Sequence, residues 1–344
     1  MATNETIHVT FLRRPLLAAL ALALCSPAAA RPPEVIRDIE VTAASLPLDA
    51  DDPGQTVVGR LTYLGGLRLS AKPSRWGGFS SLEISPDGTR LFTATDRGNW
   101  WSAALTLENG VPVGIGENIL VDMPDDTGQA IEGADNDSEG MAVTPAGDIY
   151  VSFERNHRIV RFTPPDPADP ASLAQARPTL LDAPPELAAA PNNAGLEAIA
   201  LMKDGTLFAL TEAYLGAPGY NRGWLIRDGR WEPFEYKRTE PFDVTDAKQL
   251  PNGDMLVLER RFSMLGGLGA RLCTIDGASI RPGARLECRT VAEMQPPHSI
   301  DNMEGLAVRT GDEGETIVYI ISDDNLSALQ RTVLLVFRLE PGRK

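Results

Sequence analysis

One unit of sequence recurs five times along this chain and limits what it can fold into. In the stretch from Asp137 to Arg155, DSEGMAVTPAGDIYVSFER, an acid (Glu139) leads an apolar run from Met141 to Val143, Pro145 and Gly147 mark a turn, and a second apolar run from Ile149 to Phe153 ends on Glu154. Short apolar runs bounded by turn residues read as a β-hairpin, here with charge at its open end. The unit returns at residues 79–97, 196–212, 244–261 and 303–324. Its closing acids are Asp96, Glu154, Glu212, Glu259 and Asp323, spaced by 58 residues (96 to 154), 58 (154 to 212), 47 (212 to 259) and 64 (259 to 323). Those periods lie within or just beyond the range of propeller blades.

Further strand pairs fall between the hairpins: Trp101 to Leu107 with Asn118 to Val121, Arg158 to Phe162 with Thr179 to Leu181, Gly223 to Ile226 with Trp231 to Tyr236, and Ala270 to Ile275 with Leu286 to Val291. Four short strands per repeat make a blade. The expected fold is therefore all-β, a single propeller of five four-stranded blades, with six as the alternative if residues 37–70 form more than a closing strand. The β-rich run from Thr56 to Ser70 precedes the first full repeat, and the last repeat has only Thr332 to Leu339 left to complete it. An N-terminal strand paired into the last blade would close the ring and leave no open edge. The 344 residues, 43% of them hydrophobic, suffice for one core of this size. Residues 31–56 then form an N-terminal extension and 57–344 the propeller.

Residues 1–30 read as a signal peptide. Arg13 and Arg14 precede nine apolar residues from Leu16 to Leu24, and Ala28-Ala29-Ala30 offers the small residues of a cleavage site. Nine residues span about half a bilayer, so cleavage near Ala30 is expected rather than a transmembrane anchor. Two rival readings also lead out of the cytoplasm: a lipid-attachment box ending at Cys25, preceded by Leu24 where a small residue is usual, and twin-arginine export. After cleavage only Cys273 and Cys288 remain, on adjacent predicted strands, and a periplasmic or secreted location would let them form a disulfide. The formal charge of −15 becomes one unit more negative without the leader. So acidic a surface repels phosphate backbones, and no nucleic-acid partner is expected. A monomer is anticipated.

The start of a hairpin's first strand and the end of its second lie at the same end. Repeated radially, the opening acids Glu139, Glu197 and Glu304 and the closing acids Asp96, Glu154, Glu212, Glu259 and Asp323 should ring one mouth of the central channel. Carboxylates so crowded repel one another unless cations sit among them. Arg97, Arg155 and Arg260, each directly following a closing acid, are one remedy. A hard divalent cation is another, and Ca²⁺ suits an all-oxygen site better than zinc where the mature chain holds only His157 and His298. The opening acids, being innermost, are expected to share the ion, with Glu154, Glu212 and Glu259 just behind them. The opposing reading is that the acids merely cap strands and pair with neighbouring Arg in a solvated rim.

Other constellations carry less. No G-x-S-x-G elbow occurs. Asp135-Asn136-Asp137 and Asp323-Asp324-Asn325 have calcium-loop composition without the rest of an EF-hand loop. Trp76, Trp100 and Trp101 suit packing between blades better than a ligand cleft.

The stretches Asn302-Met303-Glu304-Gly305-Leu306-Ala307, Gly195-Leu196-Glu197-Ala198 and Leu258-Glu259-Arg260-Arg261-Phe262, with Ser85-Pro86-Asp87-Gly88 leading to Asp96-Arg97-Gly98, resemble the bacterial phytase-like family described as having esterase-like activity. The resemblance covers about residues 60–340. It implies an exported β-propeller and a calcium-dependent phosphoesterase. The departures are a scarcity of lysine, with only Lys248 near a repeat opening, and Ser80 and Thr245 where an opening Glu is expected. The functional expectation is an exported calcium-dependent hydrolase that takes a small phosphoester or carboxylic ester at the acidic mouth. Glu139, Glu197 and Glu304 would then hold the ion, and Arg97, Arg155 and Arg260 the substrate oxygens. The alternative is a non-catalytic, calcium-stabilised propeller that binds a ligand or an envelope partner.

Overall fold

The computed structural model describes residues 31–72, 75–263 and 267–342. The leader assigned to residues 1–30 lies outside them, and no helix among the described residues is long and apolar enough to cross a membrane. Five antiparallel sheets follow one another in chain order. From the innermost strand outward, blade one is Glu83–Ile84, Arg90–Thr95, Asn99–Glu108 and Val111–Asp122, and blade two is Ser138–Val143, Ile149–Phe153, Arg158–Thr163 and Arg177–Leu180. Blade three is Leu196–Leu201, Leu207–Ala217, Tyr220–Arg227 and Arg230–Lys237, and blade four is Asp243–Gln249, Met255–Ser263, Gly267–Ile275 and Arg289–Met294. The fifth takes Asn302–Thr310, Thr316–Asp323 and Thr332–Leu339 from the C-terminal end and Leu61–Ala71 from the N-terminal end. Five blades and an N-terminal closing strand are thus as the repeat predicts. Residues 37–70 build no sixth blade: Val35–Arg37 edges the first and Val41–Ser45 edges the fifth.

Every strand in the middle of a blade is buried on both faces, which explains why so many read as unbroken apolar runs. In Thr316–Asp323, Val318 and Ile320 pack toward the fourth blade, while Ile317, Tyr319 and Ile321 pack toward the first. The core is divided accordingly into clusters at the junctions of blades four with five, five with one, three with four, one with two, and two with three. The junction of five with one closes the ring. Trp76, Phe79 and Trp101 fill it, with Trp101 stacked 5.2 Å from Phe79, and Trp100 meets Phe162 between blades one and two. All three tryptophans are therefore core residues.

Cys273 and Cys288 are disulfide-bonded, with their Cα atoms 5.6 Å apart. Cys273 is in a strand as anticipated, but Cys288 sits in the short break between Arg285–Leu286 and Arg289–Met294. Arg285–Leu286 leaves blade four to run parallel against Glu235 and Tyr236 of the third.

Candidate functional site

A β-bulge in each of four innermost strands sets the mouth. The ladder skips from Leu196 to Ala198, from Val244 to Asp246 and from Met303 to Gly305, and shifts in the same way between Ser138 and Met141. The skipped residues are Glu197, Thr245 and Glu304, with Glu139 in the corresponding place. A bulged residue leaves the ladder and re-aims its side chain, so one device turns these groups toward the axis. Where the opening residue is a hydroxyl it bonds to the next blade: Ser80 Oγ donates to the Ser138 carbonyl at 2.7 Å and Thr245 Oγ1 to that of Met303 at 3.2 Å. Glycine follows two of the glutamates for want of room. A Cβ at Gly140 would meet the Glu197 carbonyl at 2.3 Å, and one at Gly305 the Ser81 backbone at 2.6 Å.

The same registers correct one closing acid. Leu196 pairs with Thr211 and Met303 with Ser322, leaving Glu212 and Asp323 as the next residues outward; Val244 pairs with Glu259, so Arg260 is their counterpart. The shift of one residue turns Glu259 to the other face of the strand. There it is 1% exposed, paired with Arg271 at 2.6 Å and accepting from the Tyr236 hydroxyl at 2.5 Å. Glu259 is core, and Arg260 occupies the mouth position.

Arg260 lies between blades, its Nε 2.7 Å from Glu304 and its Nη2 3.2 Å from Glu212. Glu304 also accepts from Asn302 at 2.8 Å. Arg155, held at φ +56°, reaches Asp137 at 2.7 Å, and Arg97 lies 4.0 Å from Asp96. Both are about half-exposed, at 54% and 55%, so their outer edges are open to a ligand. Glu154 accepts from the Gly195 amide at 2.7 Å, and Asp323 from that of Asn325 at 2.6 Å.

Burial is the first cause of every upward carboxyl shift here, and neighbouring carboxylates add to most of them. It raises Glu139 and Glu197 well above the ordinary range, with Glu154, Asp137 and Glu304 adding to the first and Glu139, Glu212 and Glu154 to the second. It lifts Asp323 to about 8, Glu154 and Glu304 to about 7 and Asp96 to about 6, against a lowering pull from Arg260 on Glu304 and from Arg97 on Asp96. Asp137 and Glu212 are raised as well. Eight carboxylates (Asp96, Asp137, Glu139, Glu154, Glu197, Glu212, Glu304, Asp323) thus face three guanidiniums, a charge deficit that a bound cation relieves.

The tightest group is not the trio of opening acids. Asp137, Glu139 and Glu154 bring ligand oxygens within 4.8 Å of one another, the one such group among the described residues. That spacing suits oxygens around a single hard cation, and the buried acidic cluster is able to hold a metal ion. Asp137 is not among the ligands expected from the sequence; the one signal that pointed to it was its D-x-E spacing from Glu139, which puts two acids on one side of an extended chain. His157 also borders the site: a Cβ at Gly195 would lie 2.3 Å from its Nδ1 and 3.3 Å from Glu154 Oε1. Its Nε2 faces the Ala190 and Pro191 carbonyls, and its Nδ1 is buried with no partner among the described residues.

Below the mouth the channel is crossed by a buried ion cluster. Lys248 Nζ donates to the Met141 carbonyl at 2.8 Å and lies 3.0 Å from Glu83 and 3.6 Å from Asp246, whose other oxygen accepts from Leu306 N at 2.8 Å. Blades one, two, four and five are tied there. A cavity of about 1150 Å³ lies beyond Lys248 toward the hairpin turns, lined mainly by blades one and two and away from the acids of the mouth.

Fold and site together define a five-bladed propeller with an acidic channel mouth. The chain belongs to the phytase-like family, described as "esterase-like activity of phytase", whose model matches residues 74–326. A comparison with curated protein sequences finds no match. Among solved structures, the chain is similar to an α-L-arabinofuranosidase from Podospora anserina in complex with cellotriose, at 11% identity over 81% of this chain and 97% of that one, with a TM-score of 0.48. It is also similar to a protein of unknown function from Bacteroides caccae, at 11% identity over 70% of this chain and 67% of that one, with a TM-score of 0.33.

Proposed function

We propose that the chain is an exported, calcium-dependent hydrolase of a small phosphoester or carboxylic ester, with the acidic mouth as its active site. The observation that carries this reading is the approach of Asp137, Glu139 and Glu154 to within 4.8 Å. In family members a hydrolytic activity is implied by the description of the matching model. The donor set is all oxygen and hard, which favours calcium over a transition metal. Calcium bound there would supply Lewis acidity toward the ester oxygen and a water of lowered pKa.

The chain's own residues do the rest. Asp137, Glu139 and Glu154 would hold the ion, and Glu197, beside them, would accept a water proton. Glu304 and Glu212 fix the Arg260 guanidinium, and Arg97 and Arg155 offer half-exposed donors to an anionic group at the rim. Asp96 and Asp323 continue the carboxylate ring on blades one and five.

The test is a hydrolase screen of purified mature protein against phytate, phosphomonoesters and p-nitrophenyl esters, with calcium and with chelator. Calcium-dependent turnover that Glu139→Gln abolishes is expected. Turnover that survives chelation would reject the calcium dependence, and the absence of turnover on every ester despite calcium binding would reject the enzymatic reading and leave a calcium-stabilised binding propeller. N-terminal sequencing of exported protein, expected to begin near Arg31, tests the leader.

A further inference from the structure

A second site lies between blades two and three, at the hairpin-turn end and remote from the carboxylates of the mouth. Tyr150 pairs across strands with Arg161, and Arg161 with Thr179, so the three form one row on the face of blade two that looks toward blade three. They line a groove of about 680 Å³, with Trp231 and Arg227 opposite and Asp182, Asp204 and Asp228 around them. Arg227 is taken by Asp204 in an ion pair. Arg161 Nε and Trp231 Nε1, by contrast, are buried with no acceptor among the described residues. Trp231 packs edge-on against Trp224 at 5.9 Å, which fixes its ring.

Buried donors without partners are uncommon and call for a specific explanation. Two of them in one groove, from facing blades and flanked by the Tyr150 and Thr179 hydroxyls, make a place for an acceptor that the protein does not supply. A guanidinium edge is best met by an oxyanion with two oxygens. The carboxylates of Asp182 and Asp228 suit hydroxyl donors, and the aromatic rings of Tyr150 and Trp231 suit a ring with apolar faces. We propose that this groove binds a sugar bearing one oxyanion, a carboxylate or a phosphate monoester, with the oxyanion on Arg161 and Trp231 and the hydroxyls toward the two aspartates. The volume falls in the range of small-ligand sites.

The experiment is calorimetric titration of the full chain, in chelator so that the mouth holds no metal, with glucuronate, glucose 6-phosphate, inorganic phosphate and neutral glucose. At least one charged sugar should bind, more tightly than glucose and than phosphate alone. Arg161→Gln should weaken that binding at least tenfold. Trp231→Phe, which keeps the ring and removes the N–H, should weaken it several-fold, and it serves as the reading if Arg161→Gln fails to fold. Glu304→Gln, in the mouth, should change nothing. The proposal is overturned if neither charged sugar binds, if glucose binds as well as they do, if the folded Arg161→Gln or Trp231→Phe protein binds as the wild type does, or if Glu304→Gln abolishes binding. The carboxylate and phosphate arms identify which oxyanion the groove takes.

Discussion

Arg260 and Glu212 hold the same position on successive blades and lie 3.2 Å apart, so at that closing position one guanidinium stands in a ring of carboxylates. The neighbouring residue Glu259 points the opposite way into a buried pair with Arg271. The two are therefore separable by experiment. Glu259→Gln leaves Arg271 uncompensated in the core and should destabilise the fold by about 3–5 kcal/mol, with calcium affinity unchanged. Arg260→Gln should alter the mouth instead, tightening calcium binding as a competing cation is lost. Denaturant melts and calcium titrations of both variants check this, and an Arg260→Gln protein that binds calcium more weakly would contradict it.

Calcium should stabilise the native protein. Binding to the folded state alone adds about 2.7 kcal/mol at a hundred times Kd. Asp137→Asn, Glu139→Gln and Glu154→Gln should each remove most of that gain, and Glu259→Gln none of it. Thermal melts with calcium and with chelator measure the difference. Equal calcium response in all four variants would mean that the acids are only a rim.

The pH dependence of the metal-free protein follows from carboxyl groups raised to about 6 at Asp96, about 7 at Glu154 and Glu304 and about 8 at Asp323. A raised acid keeps in the folded state a proton that the unfolded chain releases, so stability falls as pH rises. The fall begins near the ordinary carboxyl pKa of about 4 and ends above the highest folded value. In chelator the melting temperature should drop steadily from pH 5 to pH 8, and added calcium should flatten the drop. A melting temperature that climbs over this range in chelator would show that the mouth acids are ionised at no cost to the fold.

Reduction of the Cys273–Cys288 bridge, which closes a loop of 15 residues, should cost about 3 kcal/mol on the chain-entropy model. Cys273→Ala with Cys288→Ala reads the same quantity without reductant. Mass spectrometry of the purified protein before and after reduction checks the bridge.

The repeat made the blade count, the closing strand and the end of the channel that gathers acids legible before any coordinates. Turn residues and apolar runs are local signals, and five copies reinforce one another. What sequence did not disclose was strand register near Glu259, because Leu258-Glu259-Arg260 offers an acid and a base side by side and only the bulge at Thr245 decides which faces the axis. The metal-competent trio was missed for a similar reason. Asp137 lies just before its strand, and its nearness to Glu154 depends on how the hairpin's ends converge. That Arg161 Nε finds no acceptor among the described residues is likewise a fact of three dimensions.

The clasp between the chain's two ends governs the order of events during synthesis. Leu69 pairs with Thr332, and Leu61 with Leu339. A strand made early must wait, edge unprotected, until nearly the whole polypeptide has emerged, and contacts so distant in sequence form slowly. The ring can therefore lock only after Thr332–Leu339 has been made, and until then the blades already formed stand as an open arc.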